Sequence, residues 1–224
     1  MKFYWSLFLI LALGLAGCSS LGEGPPEKTA RELMLDGMDA YDGGNFKKAL
    51  ENFEQVKNWY PFSKFVILAE LKIADANYHL EQYPEAITAY EEFERLHPRN
   101  EAVPYVIYQI GRCYFEQIDT VDRDQTPAHK ALDAFQRLVN QFPDDQYSRT
   151  ARLHIIKCRQ SILGRDFYVA KFYFKAKQYK AALHRFLVIV EQNPDVGFHD
   201  DALLYIARCR AYLGNQEGDI PNEL

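Results

Sequence analysis

Residues 74–98 read ADANYHLEQYPEAITAYEEFERLHP. The small residue Ala74 opens the stretch. Tyr83 stands three residues before Ala86, Tyr90 follows four after it, and Pro98 closes the run twelve residues beyond. Apolar positions recur at helical spacing in two runs. The proline stops the second run, because it lacks an N–H and its ring clashes with the carbonyl one turn back. Small residues let two antiparallel helices approach closely, and the aromatic one turn later fills the gap beside them. The stretch therefore predicts a helix–turn–helix.

The same set recurs on both sides. Gly37, Phe46, Ala49, Phe53 and Pro61 precede it; Gly111, Ala131, Phe135 and Pro143 follow, and then Ala170, Tyr179, Ala182, Phe186 and Pro194. This resembles the tetratricopeptide repeat (TPR), a helix–turn–helix unit of about 34 residues. The expected fold is all-α, a TPR superhelical solenoid of about nine helices over residues 29–214. The prolines are 37, 45 and 51 residues apart. The 45 holds a polar stretch, Glu116 to Pro127. The 51 holds an additional helical stretch, Tyr147 to Leu163, which could run through Gly164 into a single long helix, since a lone glycine costs only about 1 kcal/mol there. Asp200 to Leu213 reads as one more helix, and residues 215–224 as a short polar, frayed tail.

The chain has 224 residues, 48% apolar, with a formal net charge of −5. Such a composition builds a sizeable core and excludes a disordered chain. The acidic balance argues against nucleic acid as a partner, because phosphate binding calls for clustered Lys and Arg. Only the N-terminus offers a long apolar run. Lys2, the run Phe3 to Ala16 and the small residues before Cys18 form a secretory signal over residues 1–17. Leu15-Ala16-Gly17-Cys18 resembles the lipobox of bacterial lipoproteins, which implies a covalent lipid on Cys18. Ser19 in place of Asp implies the outer membrane, on its periplasmic side. Residues 18–28 then form a flexible tether; ten residues span about 33 Å when extended.

No catalytic motif is present: there is no GxxxxGK[ST], no GxSxG and no GxGxxG after a strand. The six histidines never pair at i, i+3 or i+4, so no metal and no cofactor beyond the lipid is expected. Asp144-Asp145 and Asp200-Asp201 follow helix-ending prolines and suit helix N-termini. Cys113, Cys158 and Cys209 recur as IGRC, IIKC and IARC, at places that need small residues. They read as buried small sites or, in an oxidising compartment, as disulfide partners.

Further phrases carry a more specific resemblance. They are Trp59-Tyr60-Pro61-Phe62-Ser63, Tyr105-Val106-Ile107-Tyr108 leading to Gly111, Asp122-Arg123-Asp124-Gln125-Thr126, Phe142-Pro143 before Gln146-Tyr147, and Val169-Ala170-Lys171-Phe172-Tyr173. With the lipobox, they make residues 18–214 similar to the BamD family, TPR lipoproteins of the outer-membrane β-barrel assembly machinery. The family's further C-terminal helix has no counterpart in EGDIPNEL. The resemblance implies a non-enzymatic scaffold anchored in the outer membrane. Its implied partners are an Omp85-type barrel subunit, docked through a POTRA domain, other assembly-machinery lipoproteins, and unfolded outer-membrane proteins. Arg185 matches a family arginine on the docking side, and is also an ordinary solvated helix charge.

Counting from the repeat alanines gives the first helices a groove-facing surface, which the resemblance implies receives client peptides. Its positions are Arg31, Met34, Met38 and Tyr41, then Leu71, Asp75 and Tyr78, then Tyr105, Tyr108, Arg112 and Phe115. Aromatics beside arginines suit an extended peptide ending in an aromatic and a carboxylate. Each aromatic is equally a candidate for inter-repeat core. Two other TPR lipoproteins fit the pattern, a pilotin-like escort of a secretin and a regulator of a cell-wall synthase. Co-purification of a barrel subunit, a secretin or a synthase separates them.

Overall fold

The computed structural model describes residues 28–192 and 197–218. The expected signal over 1–17, the lipidation site Cys18 and the tether up to Glu27 lie outside the described residues. Nine helices follow in order: α1 Ala30–Asp42, α2 Phe46–Trp59, α3 Val66–His79, α4 Tyr83–Leu96, α5 Val103–Phe115, α6 Thr126–Gln141, α7 Gln146–Lys175, α8 Tyr179–Gln192 and α9 His199–Gly218. No strand occurs among the described residues. Each helix packs mainly on its sequence neighbours, as a solenoid requires, and α5 also packs against α7.

Local chemistry sets the boundaries. Thr29 caps α1 in a reciprocal capping box: its hydroxyl accepts from the Glu32 N–H, and the Glu32 carboxylate accepts from the Thr29 N–H. Asn45 accepts from the Lys48 N–H at the start of α2. Pro84, Pro104 and Pro127 occupy the first turns of α4, α5 and α6, where a missing N–H costs nothing. Asp145 caps α7 through the Tyr147 N–H at 2.7 Å, and Asp200 and Asp201 lie in the first turn of α9, so both acidic pairs serve helix N-termini.

The repeat residues meet as their spacing requires. A Cβ on Gly37 would stand 2.5 Å from the Phe53 ring, and one on Gly111 would stand 2.6 Å from the Phe135 ring. Glycine is needed at both places because the aromatic of the second helix presses against the backbone of the first. Ala74 with Tyr90 and Ala170 with Phe186 repeat the pair with alanine, all fully buried.

α7 is one uninterrupted helix of 30 residues. It passes through Gly164, where a Cβ would meet the Val121 side chain at 2.8 Å. Val121 belongs to the loop between α5 and α6, and Arg165 holds the same loop by donating to the Asp122 carbonyl at 3.1 Å. The loop and the long helix, which produce the irregular proline spacings, are thus packed on each other. Cys113, Cys158 and Cys209 are free and fully buried, so the small-site alternative holds among the described residues. α9 runs to Gly218, beyond the expected solenoid limit at 214, and the rest of the tail lies outside the described residues.

Candidate peptide groove and docking face

The expected groove residues all lie on the first helices α1, α3 and α5. Arg31 is exposed, and Met38, Tyr41, Leu71, Tyr78, Tyr105, Tyr108, Arg112 and Phe115 are half-buried. Two positions are corrected. Met34, 4% exposed, lies in the core with Leu33, Phe53 and Val56, where the first two repeats close on each other. Asp75, 2% exposed, lies beneath the groove, not on it.

Asp75 is the hub of a polar cluster that joins three helices. Its Oδ1 accepts from the Tyr90 hydroxyl at 2.7 Å and from the Tyr105 hydroxyl at 2.8 Å. Its Oδ2 pairs with the Lys72 ammonium at 2.8 Å. Gln109 donates to the Tyr105 hydroxyl at 3.1 Å. A buried carboxylate persists only when its lone pairs are satisfied in this way. Burial, reinforced by Asp75, pushes the Tyr90 and Tyr105 hydroxyls far above their ordinary range, so both remain donors.

Above this floor the aromatics form two clusters. In the first, Tyr41 meets Phe46 and His79 edge-on at 5.3 and 5.4 Å, His79 stacks on Phe46 at 4.4 Å, and the Lys72 ammonium sits 4.7 Å over the Tyr41 ring. Burial raises the Tyr41 hydroxyl to about 12. In the second, Tyr147 of α7 touches Tyr105 and Tyr108 at 5.3 and 5.4 Å, and His154 sits between Tyr108, Phe115 and Phe135. Arg112 adds a cation beside them: its guanidinium lies 5.0 Å over the Tyr78 ring and pairs with Glu116 at 2.8 Å. Lys72, His79, Glu116, Tyr147 and His154 were not among the expected groove residues. Tyr78 shares one helix-face position with Tyr41 and Phe115, so the repeat phase revealed it; Tyr147 and His154 have no such counterpart.

The C-terminal half differs in charge. Among the described residues, every ion pair lies at or before Arg137. Beyond it, Arg185 is exposed, with its guanidinium 4.9 Å over the Tyr173 ring, and Lys171 lies 5.6 Å over Phe167. Arg185 lines a shallow hollow with Asp166, Tyr173, Ala181, His184 and Val188. Burial raises the Asp166 carboxyl, and Arg185 opposes that shift without forming an ion pair. No group of three or more His, Cys, Asp or Glu able to hold a metal occurs among the described residues.

Stacked helical hairpins closed by small residues against aromatic rings define a TPR scaffold. The family model for YfiO, an outer membrane lipoprotein, matches residues 26–220. The outer membrane protein assembly factor BamD of Caulobacter vibrioides is 30% identical over 213 residues, covering 93% of this chain and 70% of that protein. BamD of Vibrio cholerae is 27% identical, covering 86% of this chain and 84% of that protein. The chain belongs to the YfiO/BamD family of outer-membrane lipoproteins, and it is a scaffold, not an enzyme.

Proposed function

We propose that this chain is an assembly factor for outer-membrane proteins, acting as a two-ended adaptor in the assembly machinery. The family match over residues 26–220 carries this reading. The N-terminal groove receives extended C-terminal segments of unfolded outer-membrane proteins, with Tyr78, Tyr105, Tyr108 and Phe115 offering ring faces and Arg112 a carboxylate partner. The C-terminal face around Arg185 docks the POTRA domain of an Omp85-type barrel subunit, and other lipoproteins of the machinery share the scaffold. An acyl group on Cys18 holds the protein on the periplasmic face of the outer membrane.

The contrast in ion pairing supports the division. Arg112 is already positioned by Glu116, whereas Arg185 forms no ion pair among the described residues and suits an acidic docking surface. Arg185→Glu should weaken binding to the barrel subunit by about 2–5 kcal/mol and leave client binding intact. Tyr108→Ala with Arg112→Ala should do the reverse. Fluorescence anisotropy with a peptide ending in Phe, and co-purification of the barrel subunit, read the two arms. Equal loss of both activities in both folded variants rejects the division.

A further inference from the structure

We propose that the turn between the first two repeats, residues 59–68, is a membrane-contacting surface that seats in the phospholipid headgroup layer beside the lipid anchor. This rests on the reading of Cys18 as acylated.

The turn is apolar where the fold does not require it. Phe62 is 102% exposed and Trp59 is 52% exposed, and Ile67 and Leu68, in the first turn of α3, are exposed as well. The core is complete without them, because Phe65 and Tyr60 already pack against the first core cluster. Equivalent turns confirm that the geometry makes no such demand. The residue after the helix-ending proline is Phe62 here, but Arg99 and Asp144 in the next two repeats, both exposed. From Trp59 to Ala69 the chain reads WYPFSKFVILA, with no acid and a single cation, Lys64. Glu70, the next acid along the chain, is already engaged with His97 at 2.7 Å.

The turn is also tied to the tether. The Tyr60 hydroxyl donates to the Lys28 carbonyl at 2.8 Å, so the solenoid begins against this turn. From there back to Cys18 the chain reaches at most about 33 Å. An anchor at Cys18 therefore keeps this turn within tether reach of the bilayer, about 33 Å at full extension. Exposed Trp and Phe flanked by Lys is the side-chain set that partitions into the bilayer interface, with the ammonium among anionic headgroups. One anchor and one weak apolar contact together fix the orientation of a body that a flexible tether alone leaves free.

Trp59 reports its own position, since Trp5 is the only other tryptophan. Protein made from a chain carrying Trp5→Phe, so that Trp59 is its one tryptophan whether or not residues 1–17 are removed, is reconstituted into phosphatidylethanolamine–phosphatidylglycerol vesicles, with or without brominated acyl chains. Trp59 emission is expected to shift to shorter wavelength and to be quenched by bromine. Phe62→Asp, on a fully exposed side chain, is expected to cut the quenching at least about twofold with the helical circular dichroism unchanged. Unquenched emission from protein that floats with the vesicles overturns the proposal and leaves the anchor standing. Quenching in protein that mass spectrometry shows to be unacylated upholds the turn and rejects the anchor. Unquenched, unacylated protein rejects both.

Discussion

Lys72 and Arg112, on α3 and α5 of the N-terminal half α1–α6, are held by Asp75 and Glu116. Lys171, Arg185 and Arg208, in α7–α9, lie over aromatic rings and form no ion pair among the described residues. Both halves use the same hairpin packing, with Gly111 against Phe135 in one and Ala170 against Phe186 in the other. The repeat thus specifies the fold and leaves the charge pattern free. An arginine fixed by an acid and a tyrosine face is positioned in advance, which favours a directional contact with an extended peptide. A cation on a ring face keeps its full charge for a partner surface, which favours steering and docking.

The sharpest way to break this comparison is to empty one core at a time. Phe135→Ala and Phe186→Ala should each cost about 3–5 kcal/mol. If the array transmits stability only between neighbours, hydrogen exchange in α1 and α2 should accelerate in neither variant, whereas α5–α7 respond to the first and α7–α9 to the second. Uniform acceleration along the chain would merge the two halves into one unit.

A smaller loss is expected at the groove floor. Asp75→Ala leaves two tyrosine hydroxyls and the Lys72 ammonium without their acceptor and should cost about 3 kcal/mol by thermal melting. Peptide affinity should fall with it, because Tyr105 loses its fixed orientation, while co-purification of the barrel subunit should persist.

Thiol alkylation compares the halves without a substitution. Burial pushes the Cys113 and Cys158 thiols up to about 12 and also raises Cys209. Each reacts only through local opening. Cys209, on the last helix, should label at least about tenfold faster than Cys113 in a timed mass-spectrometric experiment. The reverse order would place the weaker packing at the groove.

The smallest effect is a dependence on pH confined to the groove. Burial holds the His79 imidazole below its ordinary 6.5, and Asp75 only partly opposes this. The folded state disfavours the protonated ring, so the stability is present above 6.5 and is lost as the pH falls below it. Melting at about pH 7.5 and about pH 5.5 should show a slope that His79→Gln reduces and that substitutions in α8 leave alone.

The hairpins were legible in the sequence because their contacts lie at nearly constant separation. Gly37 to Phe53, Ala74 to Tyr90 and Ala170 to Phe186 are each sixteen residues apart, and the loop before α6 lengthens only the interval from Gly111 to Phe135. A proline, two small residues and an aromatic suffice to stop, bring together and fill two helices, so the array follows from local rules. Continuity of α7 through Gly164 was open in the sequence, and Val121 from another repeat explains why glycine stands there. Met38, Asp75 and Arg112 share one position in their repeats, yet only Asp75 is buried. Its burial depends on Tyr90 from α4 and Tyr105 from α5, which converge on it only when two repeats stack. Repeat phase alone therefore determines which side chains face inward. Whether such a side chain lines the groove or lies beneath it is a tertiary outcome, because it depends on partners from helices that the repeat pattern does not relate.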